Sequence, residues 1–336
     1  MSHVGAPFVI AEAGVNHNGD IGRAREMIEV AKAAGADAVK FQAFTPEGLV
    51  AKGTATAAYQ AANTGVSDQF ELLRAVALDL RQFESLARHC ADIGIEFLCT
   101  AFEVQFVEAL VAMGMRRVKV ASGELTNTPA LRRFAALRLP MLLSTGMATL
   151  EEVKHAVAAA REAGASDITL LHCTTLYPAP DTAINLNAMT TMRTQLGLPV
   201  GYSDHSPGDY VSVAAVALGA SVIEKHFTLD RSLPGPDHQS SLEPAELVAF
   251  VEKLRATAKS LGDGVKRPAP GEQETAQLVR RSWHAARALA AGTVLTAADA
   301  VLKRPANGLS PDHDLVGRRL SHARNADEPI RATDLV

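Results

Sequence analysis

Short apolar runs that end in polar residues recur along this chain and alternate with stretches of helical periodicity. Eight such runs cover residues 8–15, 38–44, 96–102, 117–122, 140–146, 168–174, 199–204 and 221–228. Several are continuously apolar, which is typical of parallel strands buried on both faces. Eight strands, each followed by a helix, predict an α/β fold in the form of a (β/α)8 TIM barrel.

Helix boundary signals support this alternation. Asp20 stands where an N-cap is expected, before a stripe of apolar residues that ends at Gly35. Thr149 and Glu152 have the spacing of a capping box. Pro244 lies at a first-turn position before an apolar stripe that ends at Gly262. These signals predict helices between the strands.

Two connections depart from the short loops of a regular barrel. Residues 45–79 are too many for an ordinary loop, and we expect their polar side chains to cover a site or contact a neighbour. Residues 229–241 contain Pro-Gly-Pro-Asp-His at 234–238, which indicates a rigid turn at the barrel mouth.

The composition changes after Gly262. Residues 263–275 are rich in Gly, Pro and charge, which is typical of a linker, and the remainder contains short β-like segments. We therefore predict a catalytic barrel over 1–262, a linker over 263–275 and a small β-rich domain over 276–336.

Composition excludes several classes of protein. Of the 336 residues, 47% are hydrophobic and 21% are charged, as in globular proteins with a large core, and the net charge of -4 argues against nucleic-acid binding. No apolar run approaches the ~20 residues of a membrane span, and no signal peptide is visible. Three cysteines without metal-site spacing indicate the reducing cytoplasm.

The strand ends carry the candidate chemistry, because barrel enzymes place reactive groups at the carboxyl ends of their strands. His205 and His226 end strands seven and eight, which are neighbours in a barrel. Their imidazoles could bind one divalent ion and leave positions open for water or substrate. The alternative is that each histidine only satisfies local hydrogen bonds.

Lys40 and Lys119 end strands two and four. Two lysines that face one cavity repel, so an anion between them would explain both. Hydroxyl groups of Thr100, Ser122 and Ser203 would donate to a phosphate or carboxylate. A Schiff-base role for one lysine is an alternative, and an internal ion pair with Glu124 or Glu12 is another. The histidine pair favours phosphate binding, because Schiff-base aldolases need no metal.

Glu12 ends strand one, just before the string Asn16-His17-Asn18-Gly19. Its carboxylate could orient a sugar hydroxyl, approach the metal or act as a base. The Asn-Gly dipeptide itself predicts a turn.

Together these segments resemble the sialic acid synthase family. The resemblance rests on residues 8–19, 39–42, 121–124, 143–147, 171–174, 202–205, 224–228, 235–238 and 303–305, which follow the family order almost end to end. It implies a TIM barrel followed by an antifreeze-like (SAF) domain, in a domain-swapped homodimer.

The resemblance also implies a reaction and residue roles. Phosphoenolpyruvate would condense with N-acetylmannosamine, an N-acylated amino sugar, to give N-acetylneuraminate and phosphate with a divalent metal ion, Mn²⁺ or Mg²⁺. His205 and His226 would hold the metal. The implied phosphoenolpyruvate ligands are Lys40, Thr100, Lys119, Ser122 and Ser203. The implied sugar ligands are Glu12, Gln42, Asn63, Glu124, Tyr177 and Asp237, with Arg304 of the partner subunit at the N-acyl group.

Two positions depart from the family pattern. Thr175 stands where some members have an asparagine near phosphoenolpyruvate, and Arg280 stands where some have an aromatic residue against the sugar. The chain is also compatible with an N,N'-diacetyllegionaminate synthase that uses 2,4-diacetamido-2,4,6-trideoxymannose, and a pseudaminate synthase is a further alternative.

Two other classes compete with a synthase. A metal-dependent barrel hydrolase would usually have two histidines separated by one residue on strand one, whereas this chain has only His17 there. A non-catalytic binding module is suggested by the small domain, whose relatives include ice-binding proteins. Such a module would not need a barrel with lysines and histidines at its mouth.

Overall fold

The computed structural model describes residues 5–336, which form two compact units, one that ends at Asp263 and one that comprises Gly264–Val336. The first unit contains a closed barrel of eight parallel strands in sequence order, with β1 paired to both β2 and β8. The strands are β1 (Phe8–Gly14), β2 (Ala38–Ala43), β3 (Glu96–Ala101), β4 (Val118–Val120), β5 (Met141–Ser144), β6 (Ile168–Cys173), β7 (Val200–Asp204) and β8 (Val222–His226). The predicted barrel is confirmed.

Helices separate the strands and form the outer layer of the barrel. The described helices of this unit are α1 (Ile21–Ala33), α2 (Pro46–Leu49), α3 (Ala58–Thr64), α4 (Gln69–Val76), α5 (Leu80–Ile93), α6 (Val104–Ala112), α7 (Thr128–Ala135), α8 (Leu150–Glu162), α9 (Asp181–Ile184), α10 (Asn187–Leu196), α11 (Tyr210–Ala217) and α12 (Pro244–Ser260). No described helix combines the length and apolarity that a membrane span requires.

The helix boundaries follow from local side-chain chemistry. The Asp20 carboxylate accepts hydrogen bonds from the backbone N–H groups of Gly22 and Arg23 at the start of α1. Thr149 and Glu152 form the predicted capping box of α8. Apolar faces of these helices pack on strands that are almost wholly buried, so one continuous core holds the barrel in shape.

The long connection between β2 and α5 contains three short helices, α2 to α4. Ala55 pairs with Asp68 in an isolated antiparallel bridge, and the Thr56 N–H donates to the Ser67 carbonyl. The excursion between these paired residues carries α3, which has no buried residue. A helix without a buried face gains little from the hydrophobic core, so other contacts must hold it in place.

The second unit has its own small core and an antiparallel pair of strands. It contains α13 (Glu272–Val279), β9 (Ser282–Ala285) and β10 (Ala300–Lys303). Leu295, Leu320 and Ile330 are among the buried residues of its core. The helix α13 overlaps the end of the predicted linker, residues 263–275.

Candidate active site

The carboxyl ends of the strands surround a cavity of about 230 Å³. Its lining includes most of the predicted site residues, namely Glu12, Lys40, Gln42, Thr100, Lys119, Ser122, Thr175, Tyr177, Ser203, His205, His226 and Asp237. These side chains come from six of the eight strands and from the loops that follow the strands. Barrel closure therefore brings together residues that are more than two hundred positions apart in sequence.

Three predicted site residues are not part of this lining. The Asn63 side-chain amide donates to the Pro236 carbonyl at 2.9 Å. The Glu124 carboxylate accepts from the Asn127 amide at 2.6 Å. Arg304 belongs to the second unit, where its side chain is exposed.

Buried carboxylates accompany the two lysines of the cavity. The Lys40 ammonium lies 3.0 Å from Glu12 Oε2 and 3.4 Å from Glu224 Oε1, and the Lys119 ammonium lies 3.5 Å from the same Glu224 oxygen. Glu224 Oε1 also accepts a hydrogen bond of 3.0 Å from the Ser203 hydroxyl. A protein carboxylate thus stands between the lysines, as the ion-pair alternative predicted in kind, and binding of an external anion stays a prediction.

The ion-pair alternative was correct for Glu12 and wrong for Glu124. The decisive partner is Glu224, which sequence reasoning missed although it lies in the same strand as His226. The period of a strand is two residues, so residue 224 points to the same face as residue 226. That alternation was the available signal.

Burial and charge give these four groups unusual acidities. Burial raises the pKa of Glu12 to about 7 against the opposing effect of Lys40, whereas Lys119 and Lys40 overcome burial and lower the pKa of Glu224 to about 2. Burial also lowers the pKa of Lys119, while the two carboxylates raise the pKa of Lys40. Glu12 is therefore the group whose charge changes near neutral pH.

His205 and His226 lie side by side, with ring centroids 5.4 Å apart. His205 Nδ1 lies 2.8 Å from the Thr174 carbonyl oxygen, which can only accept, so Nδ1 carries a proton. Burial holds the pKa of His226 well below its usual value, and its Nδ1 is buried without a hydrogen-bond partner. Burial would also lower the pKa of His205, but Cys173 and the Thr174 carbonyl outweigh burial and raise it. A neutral imidazole with an unpartnered nitrogen, such as His226, is a suitable metal ligand.

These two imidazoles fit a divalent ion that takes its other ligands from water or substrate. Among residues 5–336, no cluster of three or more His, Cys, Asp or Glu side chains has metal-binding geometry. A site with two protein ligands leaves several coordination positions open, and open positions distinguish catalytic metal sites from structural ones.

Several hydroxyl groups line the same cavity as Lys119. Ser144 Oγ and Thr175 Oγ1 are both buried without a hydrogen-bond partner, and Ser122 Oγ accepts from the Gly146 N–H at 3.0 Å. A Cβ atom at position 146 would clash with the hydroxyls of Ser122 and Thr175, so glycine leaves this space open. Unsatisfied buried hydroxyls next to an ammonium can bind phosphate oxygens.

An aromatic stack covers the imidazole pair. The Tyr177 ring lies 4.0 Å from the His205 ring and stands edge-on to His226 at 5.9 Å, measured between centroids. The Tyr59 ring stacks on Tyr177 at 5.2 Å with an interplanar angle of 17°. Tyr59 is one of the polar residues of the long connection that were expected to cover a site or contact a neighbour, although no strand-end signal gave it a specific role.

A turn held by hydrogen bonds presents Asp237 to the cavity. The Asn16 amide donates to Ser241 Oγ, and the Ser241 hydroxyl donates to the Asp237 carbonyl. Burial raises the pKa of the Asp237 carboxyl to about 6, and its Oδ1 has no hydrogen-bond partner. The backbone is thus fixed while the carboxyl group is free to bind a polar ligand.

Cys173 is the remaining unpredicted group with polar contacts in the cavity. Its Sγ lies 3.7 Å from His205 Nδ1. Burial would raise the pKa of this thiol, but His205, Lys119 and Ser122 outweigh burial and lower it. The cysteine was considered only for pairing and metal spacing, so this contact was missed.

Comparisons with known proteins identify the family of this chain. Residues 27–266 match the NeuB family, and residues 280–336 match the SAF domain. The chain is 44% identical to the N,N'-diacetyllegionaminic acid synthase of Legionella pneumophila over 94% of this chain and 90% of the relative. It is 42% identical to the synthase of the same name from Campylobacter jejuni, over 96% and 98% of the two chains.

A solved structure extends the comparison. The N-acetylneuraminic acid synthetase of Leptospira borgpetersenii, crystallised with citrate, superimposes with a TM-score of 0.71 at 35% identity, over 80% of this chain and 90% of that one. The family match covers most of the barrel, and the relatives span nearly the whole chain. The chain therefore belongs to the NeuB family, and it is a condensing enzyme of the sialic acid synthase type.

Proposed function

We propose that this enzyme condenses phosphoenolpyruvate with an N-acylated amino sugar to form a nine-carbon 2-keto acid and phosphate. The observation that carries the proposal is the layout of one cavity. Lys119 and unsatisfied hydroxyls line the same cavity as the His205–His226 pair with its tyrosine cover. An anionic donor and a carbonyl acceptor can thus bind next to each other.

The phosphate group of phosphoenolpyruvate would contact Lys119 and the hydroxyls of Ser122, Ser144 and Thr175. Lys40, Thr100 and Ser203 would contact the rest of the donor. The Lys40 ammonium donates to Thr100 Oγ1 at 2.9 Å, so these two polar groups lie together in the cavity. A bound anion raises the pKa of a nearby carboxyl group, so we expect Glu12 to take up a proton when the donor binds. Protonation would relieve repulsion between the donor and the two buried carboxylates.

The reaction would form one carbon–carbon bond and break one carbon–oxygen bond. The enol carbon C3 of phosphoenolpyruvate attacks the aldehyde carbon of the open-chain sugar, and the aldehyde oxygen takes up a proton. Water adds at C2 with loss of one proton, and the proton of the resulting C2 hydroxyl passes to the phosphate as it leaves. The C2–O bond then breaks, the phosphate leaves with the bond electrons, and the product keto group remains. Lys119 and the hydroxyls stabilise the charge on the departing phosphate.

His205 and His226 would hold a divalent ion, Mn²⁺ or Mg²⁺, at the acceptor side of the cavity. When bound, such an ion supplies Lewis-acid polarisation of a carbonyl oxygen. The Thr174 carbonyl would orient His205 for this role through the Nδ1 hydrogen bond of 2.8 Å. Tyr177 would exclude water from the imidazole pair, because its ring covers His205.

We propose 2,4-diacetamido-2,4,6-trideoxymannose as the preferred acceptor. The two relatives at 44% and 42% identity are both N,N'-diacetyllegionaminic acid synthases. N-Acetylmannosamine is the second candidate, favoured by the structural likeness at 35% identity to the N-acetylneuraminic acid synthetase of Leptospira borgpetersenii. Glu12, Gln42, Tyr177 and Asp237 line the cavity where either sugar would bind.

A phosphate-release assay tests the reaction and the sugar together. The purified protein receives phosphoenolpyruvate and a divalent ion, with each sugar in a separate reaction, and the products are identified by mass spectrometry. We expect phosphate release that depends on the sugar, with a higher kcat/KM for the diacetamido sugar. A higher kcat/KM for N-acetylmannosamine would reverse the choice of acceptor, and no release with either sugar would contradict the proposed function.

Two further proposals concern the setting of the enzyme. We propose a domain-swapped homodimer in which Arg304 of the partner subunit reaches the N-acyl group, supported by the SAF domain over residues 280–336. A monomeric mass in light scattering would contradict it. We also propose a cytoplasmic location, because Cys90, Cys99 and Cys173 are buried free thiols, as expected in a reducing compartment.

A further inference from the structure

We propose that Tyr59 is a substrate-positioning residue, carried into the site by a flap that closes over the bound amino sugar. The flap is defined as residues 55–68, the excursion that contains α3. The inference rests on the proposed function, because it concerns the sugar of that reaction. It adds to the site a residue and a segment that lie far from any strand end.

Backbone hydrogen bonds join the two ends of the flap at its base. Ala55 and Asp68 form the antiparallel bridge, the Thr56 N–H donates to the Ser67 carbonyl, and the Gln69 N–H donates to the Thr54 carbonyl at 2.9 Å. Because both ends of the excursion are tied to each other, residues 56–67 can move as one body about this base.

The flap has little to hold it on the barrel except contacts at the active site. No residue of α3 is buried. Its side-chain contacts to the mouth include the Tyr59–Tyr177 stack and the hydrogen bond from Asn63 to the Pro236 carbonyl, and Gln60 lines the cavity beside Tyr59. Segments with few buried apolar contacts open at low free energy, so this cover can open without unfolding the barrel.

These two contacts fasten the flap to different sides of the cavity. Tyr59 and Asn63 are four positions apart, so they lie on the same face of α3. Tyr177 belongs to the loop after β6, whereas Pro236 belongs to the loop after β8. The helix therefore spans the mouth between these loops and closes the space above the imidazole pair.

Tyr59 acts on the sugar side of the cavity in two ways. Its ring holds the Tyr177 ring in place, and that ring in turn covers His205 at 4.0 Å. Burial and the nearby Asp237 carboxylate raise the pKa of Tyr59 well above its usual value, so the phenol remains neutral beside that carboxylate. Loss of the ring should release Tyr177 and loosen the sugar while leaving the donor-binding residues intact.

The test compares Tyr59→Leu and Tyr59→Phe with the wild-type enzyme under steady-state conditions. An aromatic pair of this kind contributes enough for about a tenfold change in binding. We expect Tyr59→Leu to raise the KM for the sugar about tenfold and to change the KM for phosphoenolpyruvate by less than about twofold. Tyr59→Phe keeps the stack and should restore the sugar KM to within about twofold of wild type.

Tyr210→Leu is the matched control, since Tyr210 is 52% exposed and outside the cavity, and its hydroxyl donates to Asp181. This control should leave both KM values unchanged. An unchanged sugar KM in Tyr59→Leu, or an equal rise in both KM values, would overturn the proposal. If the wild-type enzyme itself turns over neither sugar, the proposed function has failed before any variant is measured, and the flap proposal fails with it.

Hydrogen exchange of the wild-type protein gives a second test that needs no variant. Amides of residues 56–67 should exchange quickly in the free enzyme. They should slow by at least about tenfold when the preferred sugar is added together with inorganic phosphate, which prevents turnover. Exchange in the flap that is unaffected by a saturating sugar would contradict closure.

Discussion

Two clusters of buried charge share strand β8 of the barrel, and they differ in how completely their hydrogen bonds are made. Lys225 pairs with Asp204 at 2.9 Å and donates to the Ser206 carbonyl, while Ser206 and Ser212 donate to the Asp204 carboxylate. We call this the closed cluster. Among residues 5–336, the buried side-chain atoms without a hydrogen-bond partner include none from these four residues.

The open cluster consists of Glu12, Lys40, Lys119 and Glu224, and it faces the cavity. Its ion pairs are longer on average, and Glu224 Oε2 is buried without a hydrogen-bond partner. Adjacent residues of one strand point to opposite faces, so Glu224 joins the open cluster and Lys225 joins the closed one. Lysines and carboxylates therefore stabilise the fold on one face of the strand and are available for chemistry on the other face.

The comparison explains why burial alone does not identify a functional residue. Lys225 is 2% exposed and Lys119 is 4% exposed, so exposure does not separate them. What separates them is the completeness of the hydrogen bonds around each group. An unsatisfied buried polar atom is costly unless a ligand completes it, and the open cluster is therefore the one that requires an explanation in terms of function.

Metal removal should have the largest effect, and it should change catalysis without changing the fold. We expect chelation to abolish condensation and to leave the circular dichroism spectrum unchanged, because the barrel core does not depend on the imidazole pair. Addition of Mn²⁺ or Mg²⁺ should restore activity. Metal analysis should also show that His226→Ala loses the bound ion, and a fully active chelated enzyme would contradict the metal role.

Disruption of the closed cluster should have the largest effect on stability. Lys225→Met leaves the Asp204 carboxylate buried without its charge partner, which costs about 3–5 kcal/mol of unfolding free energy. Chemical denaturation measures this loss. The matched control is Lys253→Met. In the wild-type protein Lys253 pairs with Asp209, and their side chains are 57% and 29% exposed, respectively. This exposed pair should contribute less than about 1 kcal/mol. Equal stability of the two variants would contradict the distinction.

Disruption of the open cluster should affect catalysis more than stability. In Lys119→Met, Glu224 keeps its contact with Lys40, so we expect a smaller stability loss than in Lys225→Met. Loss of the ammonium beside the leaving phosphate should lower kcat/KM by about 10²–10³-fold. Steady-state phosphate release measures this effect. A decrease of less than about tenfold would mean that Lys119 has a structural role like that of Lys225.

The smallest effect concerns pH. The pKa of Glu12 is about 7 in the folded protein and 4.5 in the unfolded chain. Between pH 4.5 and 7, the Glu12 carboxyl group therefore keeps its proton in the folded state and loses it in the unfolded state. The resulting stabilisation is fully present below pH 4.5 and is lost as the pH rises through 7.

Glu12→Gln remains neutral throughout and should lose this dependence. The slope of the unfolding free energy against pH should differ from wild type by at most about 1.4 kcal/mol per pH unit between pH 4.5 and 7. Denaturation curves recorded across this range measure the slope. Identical slopes in the two proteins would show that Glu12 does not titrate in this interval.

Much of the architecture was accessible from sequence because it depends on local pattern. Every predicted strand is present, with ends shortened by no more than a few residues, and β4 is short because a 3-10 turn begins at Ser122. Strand-end residues such as Lys40 and His226 could be placed in one mouth, because a parallel barrel directs all its strand ends to the same side. Tyr59 could be expected to cover a site, but its stacking on Tyr177 could not be predicted, because no periodicity relates a long connection to a barrel.

The sequence by itself determined the barrel, the order of its strands and the side on which the lysines and histidines meet. Those features follow from apolar runs, helix caps and the handedness of parallel connections, all of which are local or topological. Only the tertiary structure decided that Glu224 stands between the lysines, that Lys225 is closed off with Asp204, and that Tyr59 covers Tyr177. Those outcomes depend on distances of a few ångströms between segments remote in sequence, which side-chain packing fixes and residue pattern does not.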